Sequence, residues 1–177
     1  PNSGAVRGGT AAATEWDPTF LGENSAAFGT APLASGEASF AVGQATQATG
    51  DWSFAAGSNA QATGTASTAF GTGEATGDGS VAMGLTSLAS GDYAVAMGDG
   101  SQATAPNSLA GGISSFADGD NSLAFGNGAQ TTLGSRYAIA LGRNVSATAD
   151  GAVAVGFSNT ASGNTSFTAG SNNTASG

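Results

Sequence analysis

The sequence contains no cysteine, no histidine and no lysine. Without cysteine there is no disulfide framework and no thiolate metal site. Without histidine, the chain lacks the commonest general base and one of the usual zinc ligands. These absences exclude the most frequent hydrolase and zinc-protein chemistries. We therefore expect no enzyme activity, no bound metal and no cofactor.

Charged residues are also scarce, and most of them are acidic. Three arginines (Arg7, Arg136 and Arg143) stand against 12 carboxylates, which gives a formal net charge of −9. Such a chain is repelled by the phosphates of nucleic acids and by anionic lipid surfaces. No run approaches the roughly 18 apolar residues of a membrane-spanning helix. We expect no nucleic-acid partner. We also expect the sequence to be a fragment of a longer chain.

Glycine and small side chains are abundant, and they are arranged in a repeat. Residues 77–104 read GDGSVAMGLTSLAS followed by GDYAVAMGDGSQAT, and the pattern recurs in eleven units from residue 22 onward. Every unit has 14 residues except the unit at Gly64, which has 13, and the unit at Gly119, which has 16. A fixed short period predicts a stacked repeat architecture rather than disorder.

Two regions follow from this period. Residues 22–177 are expected to form the repeat domain, and residues 1–21 an N-terminal cap or connecting segment. Within the latter, Trp16 and Phe20 are expected to cover the open end of the first unit, because a stacked array needs an atypical terminal unit. The alternative is that these two side chains form an exposed anchor.

Position eight is glycine in every unit. These glycines are Gly29, Gly43, Gly57, Gly71, Gly84, Gly98, Gly112, Gly126, Gly142, Gly156 and Gly170. Recurrence of glycine predicts a backbone position that needs a positive φ or has no room for a Cβ. We expect a tight structural corner there.

The residues before this glycine alternate in size and predict a short strand. Positions five and seven are mostly large and apolar, as in Val81 and Met83, whereas positions four and six are serine or alanine almost throughout. Alternate strand residues face opposite sides, so one face of this strand is large and apolar and the other is small and nearly apolar. Neither face favours contact with water. A strand buried on both faces indicates parallel stacking of successive units. With a second strand near positions eleven to thirteen, where alanine recurs, the chain is predicted to be an all-β parallel solenoid.

The size of the coil then predicts assembly. Each coil has only about two large apolar residues, too few to enclose a wide core. If the small side fills a narrow coil, the large side forms an apolar stripe about 50 Å long. A stripe of that length is an interaction surface, and we expect identical chains to bury it around a common axis. The pattern leaves open which strand face lines that axis.

The unit cores SVAMG (residues 80–84) and NSLAFG (residues 121–126) resemble the head repeats of bacterial trimeric autotransporter adhesins, the YadA-like head family. The resemblance covers residues 22–177. It implies a left-handed parallel β-roll of about 14-residue coils in an intertwined homotrimer. It also implies secretion by autotransport and display on the bacterial cell surface, connected to the outer membrane only through an anchor outside this fragment.

The same resemblance implies adhesion to host cell-surface receptors or extracellular matrix proteins. The alternative is a structural spacer within a surface fibre, with no ligand of its own. In related heads, Asn-Ser-Val-Ala-Ile-Gly repeats are connected with collagen binding. The nearest matches, residues 24–29, 107–112 and 121–126, have phenylalanine or glycine in place of the isoleucine.

Candidate ligand contacts come from position three and from the longest unit. Position three varies freely and includes Trp52, Tyr93 and Tyr137, which suit a binding surface but also suit packing between chains. The longest unit has two additional residues near residues 131–134, close in sequence to Arg136 and Arg143. This bulge is expected to carry local positive charge, as a contact site or as a tolerated insertion.

Other architectures and chemistries fit the sequence less well. Calcium-binding rolls have nine-residue units, and the β-helical acyltransferases have six-residue repeats and a catalytic histidine. An ice-binding solenoid would show paired threonine ranks, which are missing. Asp118 and Asp120 flank Gly119 and are expected to form a solvated turn rather than an acid/base pair.

Overall fold

The computed structural model describes residues 4–14 and 16–177; Pro1, Asn2, Ser3 and Glu15 lie outside that description. The described chain consists of β-strands and turns, with one turn of 3-10 helix at Pro18–Phe20 and no α-helix in those ranges. None of the described residues belongs to a helix long and apolar enough to cross a membrane.

The described strands form two sheets, one of twelve long strands and one of eleven two-residue strands. The long strands are Val6–Thr10 (β1), Ala26–Thr30 (β2), Phe40–Gln44 (β4), Phe54–Ser58 (β6), Thr68–Gly71 (β8), Val81–Gly84 (β10), Val95–Asp99 (β12), Leu109–Ile113 (β14), Leu123–Asn127 (β16), Ile139–Arg143 (β18), Val153–Phe157 (β20) and Phe167–Ser171 (β22). The short strands are Leu33–Ala34 (β3), Gln47–Ala48 (β5), Gln61–Ala62 (β7), Glu74–Ala75 (β9), Leu88–Ala89 (β11), Gln102–Ala103 (β13), Phe116–Ala117 (β15), Gln130–Thr131 (β17), Ser146–Ala147 (β19), Thr160–Ala161 (β21) and Thr174–Ala175 (β23).

Each coil contributes one strand to each sheet, and strands of successive coils pair in parallel. In β10 and β12, for example, Val81 aligns with Val95 and Met83 with Met97, so equivalent positions stack directly. The short strands follow the same order in their own sheet. The predicted parallel solenoid of about 14-residue coils is therefore confirmed.

The interior of the solenoid is filled by small side chains. The alanines at positions six and thirteen, such as Ala82 and Ala89, are completely buried. Position four adds buried serines; the Ser39 hydroxyl donates a hydrogen bond to the Gly36 carbonyl oxygen at 2.7 Å. Ser25, Ser53 and Ser108 make the equivalent bond, whereas the buried hydroxyls of Ser67, Ser80 and Ser166 have no hydrogen-bond partner among the described residues. Because alanine and serine suffice to fill this space, the coil is thin, and the large side chains must lie outside it.

The position-eight glycines lie inside the long strand or at its end, with φ from 77° at Gly71 to 144° at Gly126. A Cβ on Gly98 would overlap the carbonyl oxygen of Gly112 in the next coil. The corner comes two residues later, at position ten, where Ala45 has a φ of 51°. The position-eight glycines were predicted to form the corner, but they lie in or at the end of a strand. They are Gly29, Gly43, Gly57, Gly71, Gly84, Gly98, Gly112, Gly126, Gly142, Gly156 and Gly170.

The segment before residue 22 extends the long-strand sheet. Strand β1 pairs with β2, and Gly9 aligns with Gly29. At the interior position, Arg7 replaces the usual alanine, and its guanidinium donates hydrogen bonds to the Ser25 hydroxyl and the Ala34 carbonyl oxygen, both at 2.9 Å. Burial lowers the pKa of Arg7. A charged donor therefore lies across the end of the interior of the first coil.

The two aromatic side chains of that segment differ in environment. Trp16 is half-buried, whereas Phe20 is exposed and lines a shallow cavity with Leu33 and Gln47 on the short-strand sheet. Phe20 therefore lies beside the first two coils rather than over the end of the stack.

Replacing Gly98 with alanine tests the glycine column. A positive φ costs a side chain about 1–3 kcal/mol, and the overlap with Gly112 adds to that cost. We expect Gly98→Ala to lower the free energy of unfolding by at least about 2 kcal/mol, measured by chemical denaturation at matched protein concentration. The control is Gly100→Asn, because Asn59 and Asn144 occupy the equivalent turn position with the same backbone conformation. Equal losses in the two variants would contradict this account.

Candidate interaction surfaces

The outer side of the long-strand sheet is an apolar face, made by positions five and seven of successive coils. In the single chain Val81, Met83, Val95 and Met97 are half-buried, and Phe125 is 48% exposed. The face continues from the first coil to the last. The chain thus leaves a long row of large apolar side chains partly in contact with water.

Aromatic side chains stack along the first part of this apolar face. The ring centroids of Phe40 and Phe54 are 5.3 Å apart, with planes only 4° from parallel. The ring centroid of Phe28 is 6.0 Å from that of Phe40, and the ring centroid of Phe70 is 5.3 Å from that of Phe54. Stacked pairs at these distances are favourable, so the surface is ordered within a single chain.

Small residues at position seven make room for phenylalanine in the following coil. A Cβ on Gly111 would overlap the ring of Phe125, and a Cβ on Gly8 would come within 2.8 Å of the ring of Phe28. These rings therefore lie along the face, over the preceding coil. The sequence carries a signal for this relation, a glycine one coil before a phenylalanine, which the predictions above did not use.

The outer side of the short-strand sheet is mainly polar. Its outward residues at position twelve are Leu33, Gln47, Gln61, Glu74, Leu88, Gln102, Phe116, Gln130, Ser146, Thr160 and Thr174. Four glutamines and several hydroxyls can be solvated there. Each coil therefore has one apolar and one mainly polar outer face.

A third surface, here called the turn row, consists of positions two and three of successive coils. Position three has left-handed backbone geometry, with φ of 58° at Trp52, 57° at Tyr93 and 59° at Tyr137. Asparagine occupies the same position at Asn107 and Asn121. Because asparagine tolerates this geometry and bulky residues disfavour it, the three aromatic residues lower local stability relative to asparagine.

The three aromatic side chains are exposed and regularly spaced. Trp52 is 60% exposed, Tyr93 68% and Tyr137 65%. They belong to the third, sixth and ninth coils, so successive rings are about 14 Å apart at the usual strand spacing. The ring of Tyr93 lies over Gly79, where an added Cβ would be 2.7 Å from the ring.

Position two gives the turn row its charge. Seven of its residues are acidic: Glu23, Glu37, Asp51, Asp78, Asp92, Asp120 and Asp150. The Glu37 N–H donates to Asp51 Oδ1 at 2.9 Å, and the Asp78 N–H donates to Asp92 Oδ1 at 3.1 Å. These bonds between coils fix the carboxylates in place. These carboxylates are single residues far apart in the chain, and the coil period brings them into one row.

Arg136 lies in the turn row and is paired. Its Nη2 lies 2.7 Å from Asp150 Oδ2. The hydrogen bond raises the pKa of Arg136 and lowers the pKa of Asp150. Both side chains face solvent, so the pair contributes little to stability. Just before it, the two-residue insertion presents Leu133, which is 90% exposed.

Arg143 is the last residue of the long strand β18, whereas Arg136 lies three residues before that strand begins. Its guanidinium carbon is 5.4 Å from the ring centroid of Phe157, a cation–π distance. Arg136 and Arg143 thus have separate contacts, Asp150 and Phe157, and local positive charge at the bulge stays a prediction. Of the five sequence-based candidates, Trp52, Tyr93, Arg136 and Tyr137 share the turn row.

No group of three or more acidic side chains close enough to hold a metal ion occurs in residues 4–14 and 16–177. Asp118, one of the two carboxylates that flank Gly119, accepts a hydrogen bond from the Thr104 hydroxyl. Its neighbour Asp120 belongs to the turn row.

Exchanging Tyr93 for asparagine tests whether this side chain is free or packed between chains. If Tyr93 is free, Tyr93→Asn raises the free energy of unfolding by about 0.5–1 kcal/mol, because asparagine tolerates the left-handed conformation. The matched control, Asn107→Tyr in the next coil, lowers it by a similar amount. Thermal and chemical unfolding measure both changes. A loss of stability in Tyr93→Asn would show instead that the ring packs between chains.

A family model described as the YadA head domain repeat, in two copies, matches the chain in eight segments, most of which overlap the next one. They are residues 34–60, 48–73, 75–101, 89–115, 103–129, 117–144, 134–158 and 147–173. Together they cover well over half of the sequence, and each spans about two coils. No curated protein matches the chain.

Proposed function

We propose, because the chain belongs to the YadA head family, that it is the head of a trimeric autotransporter adhesin. In this proposal three copies assemble around a common axis and are displayed on the bacterial surface. An outer-membrane anchor outside this chain would hold them there. Residues 22–177 form the head, and residues 1–21 connect to it or cap it.

The apolar face is the single observation that supports assembly most strongly. Its valine, methionine, leucine and phenylalanine side chains lie outside the coil because the interior accepts only small groups. Burial of apolar area contributes about 25 cal/mol per Å², and an apolar row of this length is unusual on a monomer. Three copies that turn this face inward would bury it and leave the polar short-strand faces in water.

Attachment follows from the geometry of such a head. A stack of eleven coils is rigid, and three copies present every surface feature three times. Weak contacts repeated in this way combine into strong attachment. We propose host cell-surface receptors or extracellular matrix proteins as ligands, with Trp52, Tyr93, Arg136 and Tyr137 as contacts in the turn row and Arg143 as a separate contact.

A pair of charged substitutions tests the assembly. Replacing Met83 and Met97 with glutamate would put two carboxylates per chain into the buried interface, so we expect the trimer to dissociate. Light scattering would show the mass falling from three chains to one. The control is Gln61→Glu with Gln102→Glu on the short-strand sheet, where Glu74 already occupies the equivalent position. A parent chain that is a folded monomer at micromolar concentration would contradict the assembly.

A binding screen tests attachment. The trimeric chain is applied to immobilised matrix proteins and to host cells, beside a variant that combines Trp52→Asn, Tyr93→Asn and Arg136→Asn. We expect the parent to attach and the variant to attach at least tenfold less. Phe116→Gln, which removes an aromatic group from the opposite face, should attach like the parent. Failure of the parent to bind any target would favour a structural spacer within a surface fibre.

A further inference from the structure

The turn row combines two features that the fold of a single chain does not explain. Its aromatic side chains are exposed despite the unfavourable left-handed backbone beneath them. Asparagine or glycine fits the same position in neighbouring coils, at Asn107, Asn121 and Gly79. Trp52, Tyr93 and Tyr137 therefore add no stability to the fold that would account for them, and large exposed aromatic groups are typical of contact surfaces.

The charge beside these rings selects the partner. Asp51 directly precedes Trp52, and Asp92 directly precedes Tyr93. At the third ring the directly preceding residue is instead Arg136, whose charge is paired with Asp150. The Tyr137 N–H donates to the Asp120 carbonyl oxygen at 3.0 Å, so Asp120 is the adjacent acidic residue, in the preceding coil. A ring next to a carboxylate suits a guanidinium or ammonium group, which gains a cation–π contact and an ion pair together.

The carboxylates at the first two rings are held in position before any ligand arrives. One oxygen of Asp51 and one of Asp92 accept backbone N–H groups of the preceding coil, at 2.9 and 3.1 Å. Their second oxygens accept no hydrogen bond within the described residues. A cationic group would therefore meet an oriented acceptor, which reduces the ordering cost of binding.

The spacing of the rings indicates the shape of the ligand. Three coils separate successive rings, about 14 Å. Four residues of an extended polypeptide span about 13–14 Å, and residues four apart project to the same side. An extended chain laid along the turn row would thus present every fourth side chain to a ring and its carboxylate.

We infer that the turn row binds an extended basic segment of a protein, with arginine or lysine side chains at four-residue intervals over Trp52, Tyr93 and Tyr137. This inference rests on the proposed adhesive function and gives its ligand a chemical class. The net charge of −9 disfavours sulfated glycans and other polyanions on the same surface. A neutral linear glycan, which also stacks on aromatic rings, is the other outcome that the experiment distinguishes.

The test uses synthetic probes and calorimetry on the assembled chain. The first probe is a thirteen-residue peptide with arginine at every fourth position and glycine or serine elsewhere. The second has the same composition with its arginines adjacent. The third is a linear neutral glucan. We expect the first peptide to bind at least fivefold tighter than the second, with affinity falling as salt screens the carboxylates, and the glucan not to bind.

Two sets of variants locate the site. The first set combines Trp52→Asn, Tyr93→Asn and Tyr137→Asn. We expect it to lower the affinity for the spaced peptide at least tenfold. The second set combines Asp51→Asn, Asp92→Asn and Asp120→Asn, and each asparagine keeps a side-chain oxygen that can accept a backbone hydrogen bond. We expect this set to weaken binding of the spaced peptide to a similar extent and to make that binding less dependent on salt. Asp99→Asn, a carboxylate at the far end of a long strand, and Phe116→Gln are the controls and should bind like the parent.

The inference is overturned if the spaced and clustered peptides bind equally, if the glucan binds in their place, or if both sets of variants bind like the parent. Attachment assays on the same variants separate it from the proposed function. Undiminished attachment to cells or matrix by the aromatic and carboxylate variants would overturn the inference and leave the adhesin intact. If the parent binds the spaced peptide but attaches to no cell or matrix protein, the result would support the inferred binding site in the turn row and contradict the adhesive function.

Discussion

The narrow space between the two strands of each coil determines the rest of the structure. Alanine at positions six and thirteen and serine at position four fill that space completely, as Ala82, Ala89 and Ser80 show. Larger residues at these positions would overpack the coil. The large side chains of the long strand must then lie outside, so the element that usually forms a core becomes a surface.

Stacking carries this constraint along the molecule. Equivalent residues lie directly above one another, so a feature of one coil becomes a row: the glycine column, the apolar face and the turn row all arise in this way. The backbone carbonyl of each position-eight glycine lies so near the preceding coil that no Cβ fits between them. A close approach repeated in every coil makes the stack rigid, and a rigid stack keeps its rows straight.

The repeat predicted much of this architecture, because period, strand alternation and small interior residues are all local signals. The predicted corner was two residues too early, because a glycine required by close backbone contact and a glycine required by a turn look the same in sequence. Strand β1 (Val6–Thr10) was hidden because Arg7 replaces the interior alanine. The turn-row carboxylates, and the separation of Arg136 from Arg143, depend on which end of a strand a residue occupies, and residue types alone do not reveal that.

The two methionines of the chain, Met83 and Met97, both lie on the apolar face and are half-buried in a single chain. Their oxidation by dilute peroxide, followed by mass spectrometry of the native protein, tests the burial of that face most directly. Burial between copies predicts that both sulfurs react many times more slowly than in the unfolded chain, and that protection fades on dilution below the assembly range. Oxidation of both at the rate of the unfolded chain, in a protein that stays folded at micromolar concentration, would contradict the account.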